Sequence, residues 1–203
     1  MTDPAPTRLL DALRHAAAAL RALDRPFALV GGLAVSVRTE PRFTRDIDLA
    51  VAVPDDAAAE ALIADLVARG FRVQLSLEQR ALHRLATVRL SPPREPAEGI
   101  VVDLLFASCG IEADICAAAD DIEIADGLSI PIATAGHLLV MKLLSRSSNR
   151  PQDDADLVAL VPVLDATERR RAVGAADRIE RIGANRGKPL RIDLDALLDC
   201  GGP

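Results

Sequence analysis

Apolar and polar positions along this chain repeat with two periods, and the switches between them outline the elements. Leu9, Leu10, Leu13, Leu20 and Leu23 recur at helical spacing, so Thr7 to Leu23 reads as an amphipathic, alanine-rich helix. Beyond Pro26, the short apolar run Phe27-Ala28-Leu29-Val30 stops at Gly31-Gly32, and a helical texture resumes from Leu33 to Arg38. That succession predicts strand, glycine turn, helix. Asp46 to Val53 alternates as a second strand and ends at Pro54, after which Asp55 is placed to cap a helix reaching about Arg69, with Gly70 as its stop. Phe71 to Leu75, Leu82 to Leu90 and Ile100 to Phe106 read as three more strands, the last two separated by the proline-rich loop Ser91 to Pro96.

Further on the texture becomes helical. A short helical piece near Ile111 to Ala119 and a hairpin from Ile122 to Ile132, turning at Asp126-Gly127, precede it. Thr134 is positioned to cap an apolar helix to about Arg146, Pro151 opens another to about Val161, and Asp165 with Glu168 three residues later forms a capping box for a third. The pattern therefore predicts an α+β protein: a mixed sheet flanked by helices over residues 1–133, and a helical part over 134–203 packed on it. The stretch from Gly183 ends Cys-Gly-Gly-Pro, and the last ~15 residues are expected to be poorly ordered.

Composition narrows the classes. Half of the 203 residues are apolar and 27% are charged, too apolar a balance for intrinsic disorder. No apolar run is long enough to span a bilayer, and the first residues carry no basic segment followed by an apolar one, so the expected location is cytoplasmic, away from membranes. Cys109, Cys116 and Cys200 form no Cys-x-x-Cys pair, which argues against a disulfide framework or a zinc site. His15, His83 and His137 are scattered without ligand spacing. With no Trp, no Tyr and only Phe27, Phe43, Phe71 and Phe106, an aromatic stacking platform is not expected, and a bound nucleotide would be held mostly by its phosphates.

The net charge of -6 is uneven. The segment from Glu168 to Arg191 carries a net charge of +5, leaving -11 for the rest. On a helix over Thr167 to Ile182, Arg170, Arg171, Arg178 and Arg181 share one face, opposite Ala172, Ala175, Ile179 and Ile182. That face is either ordinary solvated surface or a docking face for an RNA or another anionic partner.

The chemistry is concentrated in Gly31-Gly32 and Asp46-Ile47-Asp48-Leu49. On a strand, residues i and i+2 share a face, so Asp46 and Asp48 project together while Ile47 and Leu49 point into the core. Two adjacent carboxylates repel, and a cation bound between them is the usual compensation; magnesium suits such hard oxygen ligands. A glycine turn into a helix lets backbone N–H groups approach phosphate oxygens. Asp103, a lone acid in the apolar strand Ile100 to Phe106, can complete the metal shell and take a proton, or be a salt-bridged core acid. Lys142 lies in Leu138-Leu139-Val140-Met141-Lys142-Leu143-Leu144, where its ammonium must reach water or an anion, a phosphate being one candidate. Arg38, Arg42 and Arg45 cluster just before the acidic pair and can receive phosphates or an acceptor.

Gly-Gly, then Asp-x-Asp, then a later strand Asp resembles the DNA polymerase β type of minimal nucleotidyltransferase. The finer texture, Gly-Gly-Leu-Ala followed by Arg42-Phe43-Thr44-Arg45-Asp46-Ile47-Asp48-Leu49, is similar to the AbiEii-like branch, which includes toxins of bacterial toxin–antitoxin systems. Met141-Lys142-Leu143-Leu144, then Arg150, Asp153 and Asp156-Leu157, is similar to that family's Lys-Leu helix and Arg-Asp-x-x-Asp-Leu, with Pro151-Gln152 intervening here. The resemblance covers roughly residues 28–160. It implies a polymerase β-like core with a helical C-terminal part, in which Asp46, Asp48 and Asp103 hold Mg²⁺ (two ions) and do the catalytic work. Gly31, Gly32, Arg45 and Lys142 would bind the nucleotide, and Arg38, Arg42, Arg170 and Arg178 are candidates for the acceptor.

The expected reaction is transfer of NMP from an NTP to a hydroxyl of tRNA, another RNA or a protein, with an antitoxin as a further partner. Two alternatives remain open at this level: a non-catalytic binding module on the same fold, and transfer to a small molecule such as an aminoglycoside. A phosphatase Asp-x-Asp motif fits less well because Ala50 occupies its last position, and a glycosyltransferase Asp-x-Asp would not need the glycine turn.

Overall fold

The computed structural model describes residues 5–40, 44, 46–79, 81–96 and 98–200. Strands β1 (Phe27–Val30), β2 (Asp46–Val51), β3 (Arg72–Gln79), β4 (Arg84–Ser91), β5 (Val101–Leu105), β6 (Asp120–Ala125) and β7 (Leu128–Ile132) form one seven-stranded mixed sheet in the order β3-β4-β5-β2-β1-β7-β6. β2 runs parallel to β5 and β1 parallel to β7; the other neighbours are antiparallel. The helices are α1 (Ala5–Ala22), α2 (Gly31–Arg38), α3 (Asp56–Ala68), α4 (Glu112–Ala117), α5 (Ala135–Ser145), α6 (Pro151–Leu160), α7 (Ala166–Arg181) and α8 (Leu190–Cys200), with a 3₁₀ turn at Val161–Val163.

The alternation in β2 sorts its side chains as the pattern predicts. Ile47 and Leu49 are fully buried and, with Val102 and Leu104 of β5, form the apolar side of the sheet centre. Burying such side chains stabilises the fold by about 1.5–3 kcal/mol each, so β2 cannot slip by one residue without exposing Ile47 and Leu49 and burying Asp46 and Asp48. β1 is short and buried on both sides because it sits between β2 and β7 and runs directly into α2 at Gly31.

Helical packing departs from the sequence pattern in two instructive places. Thr134 precedes α5 but its side chain does not cap it; its hydroxyl meets Nδ1 of His137 at 3.1 Å. The α5 N-terminus is capped from another helix, since Gly136 N–H donates to Glu168 Oε2 at 2.7 Å. Asp165 does accept from Glu168 N–H at 2.8 Å, so only half of the expected capping box forms and its glutamate is redirected to α5. The contact is intimate: a Cβ at Gly136 would lie 2.3 Å from the Glu168 carbonyl oxygen.

The expectation of a poorly ordered tail is corrected. Leu190–Cys200 forms α8, and Leu190 and Leu194 are fully buried. This helix packs on α7 and α5. Residues 201–203 lie outside the described residues. Among the described residues no helix is long and apolar enough to cross a membrane.

Candidate active site

Sheet register assembles the acids. Asp48 pairs with Asp103 across the parallel β2–β5 ladder, Asp103 pairs with Arg89 across β4–β5, and Asp48 pairs with Val30 across β1–β2. Directly paired residues share a face, so Arg89, Asp103 and Asp48 form one row, and Asp46 lies two residues along β2 on the same side. Asp46 is exposed, Asp48 is half-buried, and Asp103 is buried.

Like charge and burial together shape this cluster. Burial, and then the neighbouring carboxylates of Asp103 and Asp46, push Asp48 from 3.8 up to about 7, against the smaller opposing pull of Lys142 and Arg150. Arg89 answers part of the charge through a fork on Asp103: Nε donates to Oδ1 at 2.8 Å and Nη2 to Oδ2 at 2.6 Å. These hydrogen bonds hold the guanidinium firmly protonated. Arg89 is a site residue that sequence reasoning missed, because cross-strand register is invisible in a linear pattern.

Gly31 is fitted to Asp48. Its φ is +69°, a left-handed value that glycine adopts without strain, and a Cβ there would lie 1.9 Å from Asp48 Oδ2. No side chain caps the N-terminus of α2, which begins at Gly31-Gly32, so its first N–H groups remain available to an anion beside the carboxylates. Gly31 and Asp48 line one cleft together with Lys142, Ser145, Arg150 and Arg186, which lies between the sheet and the helical part.

Lys142 has anionic partners within the protein. Its Nζ lies 2.9 Å from Asp153 Oδ1 and 2.8 Å from Asp156 Oδ2, both carboxylates being 2% exposed. Ser145 Oγ adds a hydrogen bond to Asp153 Oδ2 at 3.0 Å. The expected phosphate-contacting lysine is thus held by two acids, and Arg150, exposed and only 4.0 Å from Asp153 Oδ2, is the freer cation on the same wall.

The remaining candidates divide. Arg38 is drawn into the structure: Nε donates to Ala133 O at 3.0 Å, and Nη2 to Ile132 O at 2.9 Å and Asp120 Oδ2 at 2.7 Å. It fastens α2 to the β6–β7 hairpin, so two of the three nitrogens of this candidate acceptor-binding group are engaged within the protein. Arg178 pairs with Asp114 of α4 at 2.7 Å, and Arg171 pairs with Glu168, so part of the basic face of α7 is neutralised. Arg170 is exposed and, among the described residues, hydrogen-bonds only locally to Thr167, at 3.0 Å. Arg42 and Arg45 lie outside the described residues. Buried His137 loses proton affinity, through burial first, and packs at the α5–α7 contact away from the acids. The Cys109 thiol donates to Glu112 at 3.3 Å and, like Cys116, is a free thiol pushed upward by burial.

Among the described residues no three His, Cys, Asp or Glu side chains converge as a ready-made metal cage. Magnesium does not require one, because it is usually held by one or two carboxylates together with water and substrate phosphates. Asp46 and Asp48 meet that donor requirement: they are hard and adjacent, and Gly31, having no Cβ, leaves room at Oδ2 of Asp48.

The family model describing the nucleotidyl transferase AbiEii toxin of type IV toxin–antitoxin systems matches residues 11–200. No curated protein matches the sequence. Among solved structures, the chain is similar to the antibiotic-resistance factor ANT(2'')-Ia in solution, with 14% identity over 89% of this chain and 97% of that one and a TM-score of 0.56. It is similar to the lincomycin-bound lincosamide antibiotic adenylyltransferase LnuA, with 16% identity over 76% of this chain and 97% of that one and a TM-score of 0.50. An antigenic nucleotidyltransferase-like protein from Paracoccidioides brasiliensis matches at 16% identity over 96% and 91% of the two chains, with a TM-score of 0.50. At such identities these structures establish the shared fold and nothing about substrate.

Proposed function

From the premise that this chain belongs to the AbiEii nucleotidyltransferase toxin family, we propose that it is an Mg²⁺-dependent enzyme that transfers the NMP of an NTP to a hydroxyl acceptor and releases pyrophosphate. The observation that carries this reading is the fit of Gly31 against Asp48, which puts an uncapped helix N-terminus beside the Asp48 carboxylate on one cleft, with Asp46 two residues along the same strand face.

In this reading Asp46 and Asp48 hold the metal, with Asp103 assisting. When bound, magnesium neutralises the triphosphate and the charge that develops on the transferring phosphoryl group. The N–H groups at Gly31-Gly32 receive phosphate oxygens, and Arg150 approaches the same phosphates from α6. Lys142, fixed between Asp153 and Asp156, holds α5 to α6 and presents what remains of its positive field to Asp48. The acceptor oxygen attacks the α-phosphorus, its proton passes to Asp103, and the bond from the α-phosphorus to the bridging oxygen breaks as pyrophosphate leaves. Arg89 grips both oxygens of Asp103, leaving each a lone pair, and so fixes the direction from which that proton is taken.

The acceptor we favour is RNA, with the exposed arginines of α7 as its electrostatic landing, in a cytoplasmic toxin countered by an antitoxin. A small-molecule acceptor is the second reading, favoured by the pairing of Arg171 and Arg178 with internal acids. Incubating the chain and an Asp46→Asn/Asp48→Asn variant with each α-labelled NTP, Mg²⁺, total RNA and protein decides between them. Label entering RNA with the native chain alone supports the first reading; label entering neither macromolecule but appearing on an added aminoglycoside supports the second. Absence of both transfer and Mg²⁺-dependent NTP binding overturns the enzyme.

A further inference from the structure

The cleft is lined by two chemically different sets of residues. Gly31, Asp48, Lys142 and Arg150 form one, and the charges of Lys142 and Arg150 are both felt at the Asp48 carboxylate. The same cleft is also lined by Leu105 and Ser108 of the sheet side, Leu138 and Met141 of α5, and Arg186, whose charge is felt at Cys109. One set suits phosphates and a cation. The other offers an apolar floor, one hydroxyl and one guanidinium.

Arg186 is held there by a strap, residues 183–188, between α7 and α8. Gly183, Arg186 and Gly187 have φ values of +75°, +56° and +75°, and the middle one places a bulky side chain in a left-handed conformation that arginine rarely adopts. The strap is anchored to the end of α5, where Lys188 Nζ donates to the carbonyls of Leu143 at 3.2 Å, Leu144 at 2.8 Å and Arg146 at 2.5 Å. Asn185 Nδ2 closes the turn on Lys188 O at 2.7 Å. Held this way, Arg186 reaches across the cleft, and its Nη2 donates to the Ser108 carbonyl at 3.1 Å and hydroxyl at 3.3 Å.

We infer that Arg186 and its strap form the nucleobase subsite, the guanidinium plane covering a base that lies on Leu105, Leu138 and Met141. This rests on the transferase reading above. The sequence has no Trp or Tyr, and among the described residues, which exclude Phe43, no Phe lines the cleft. Among the described residues the planar charged groups on the cleft are the guanidiniums of Arg150 and Arg186, and a guanidinium pairs with π faces far better than an ammonium does. Phosphate binding is the competing use of an arginine, and it belongs to the first set, where Arg150 accompanies the helix N-terminus and the acids.

The test separates the two sets by ligand. Binding of ATP, CTP, GTP and UTP, of the matching NMP, and of inorganic tripolyphosphate is measured with Mg²⁺ on the full chain and on Arg186→Ala, Arg186→Lys and Arg150→Ala, each first checked for an unchanged unfolding midpoint. Arg186→Ala is expected to weaken the preferred NTP and its NMP by about tenfold or more and to leave tripolyphosphate within about twofold. Arg186→Lys recovers little of this loss, and Arg150→Ala weakens NTP and tripolyphosphate together. Equal loss of NTP and tripolyphosphate in Arg186→Ala, full rescue by lysine, or no loss at all overturns the inference while leaving the transferase reading intact. A native chain that binds tripolyphosphate and no nucleotide overturns both.

Discussion

Two groups of acids, one containing Asp48 and the other holding Lys142 on the wall of the same cleft, have opposite electrostatic fates. Asp48 and Asp103 share a row with the Arg89 guanidinium, with Asp46 two residues along the same face, and Asp48 keeps its proton up to about 7. Asp153 and Asp156 are more deeply buried, yet both close on the Lys142 ammonium within 2.9 Å and Asp153 gains Ser145 as well. The second group is a compensated scaffold. The first is left short of positive charge on the side where Gly31 keeps space, as expected of a place that receives its cation with its substrate.

The sharpest way to break this contrast is to neutralise one member of each group. Asp48→Asn is expected to abolish labelled transfer by on the order of a thousandfold or more, with no loss of folding stability. Lys142→Ala is expected to do the reverse first: two carboxylates that are 2% exposed lose their shared counter-ion, a change that costs about 3–5 kcal/mol, read as a fall in the urea midpoint. Asp48→Asn unfolding as readily as Lys142→Ala would erase the distinction between site and scaffold.

Dependence on pH tests the same idea with a definite sign. Asp48 titrates at about 7 in the folded chain and at 3.8 as a free side chain. Between those values the folded state binds more protons than the unfolded one, so this group lowers stability as pH rises from 4 to 7. Allowing for its partial access to solvent, the loss is about 2 kcal/mol. Urea unfolding at pH 5 and pH 8 is expected to show that loss in the native chain and not in Asp48→Asn. Mg²⁺ binding is expected to strengthen through the same range, because the ion competes with that proton. A smaller effect comes from Arg89. Lysine in its place offers one donor where the guanidinium offers a fork, so Arg89→Lys is expected to lower kcat about 10- to 100-fold with little change in KM for the NTP. A rise in KM alone would show that Arg89 serves the nucleotide and not Asp103.

Legibility followed the same divide between what is periodic and what is not. The β1–glycine–α2 turn, the outward pairing of Asp46 and Asp48, and the caps at Asp55 and Asp165 were readable because each is set by residues one to four apart. The partners of these groups were not. Arg89 reaches Asp103 through sheet register, Lys142 finds its acids on the next helix, and Arg186 arrives from a strap far along the chain. Arg38 looked available in sequence because it clusters with Arg42 and Arg45 just before the acidic pair, whereas it bonds to carbonyls of β7 and the residue after it, 94 and 95 positions away. The tail misled for a related reason: a connection with two glycines and a proline resembles a fraying end until Lys188 is seen to close the carbonyls of α5.

The smallest expected effect concerns the basic face of α7, where structure and sequence pull apart. Arg178 is tied to Asp114, so reversing its charge would break a helix–helix contact and confound any reading of the acceptor. Arg170 makes only the local contact with Thr167 described above and carries no such burden. Arg170→Glu is expected to change stability by less than about 0.5 kcal/mol. If RNA is the acceptor, the same variant weakens RNA binding modestly and reduces the slope of log K against log salt by about one, while NTP binding stays as in the native chain. RNA transfer that is indifferent to Arg170→Glu, and whose salt slope does not move, would take the acceptor off α7 and return attention to the open face beside Asp103. There Arg89 is 38% exposed and stands between the carboxylate row and the leucines of β3.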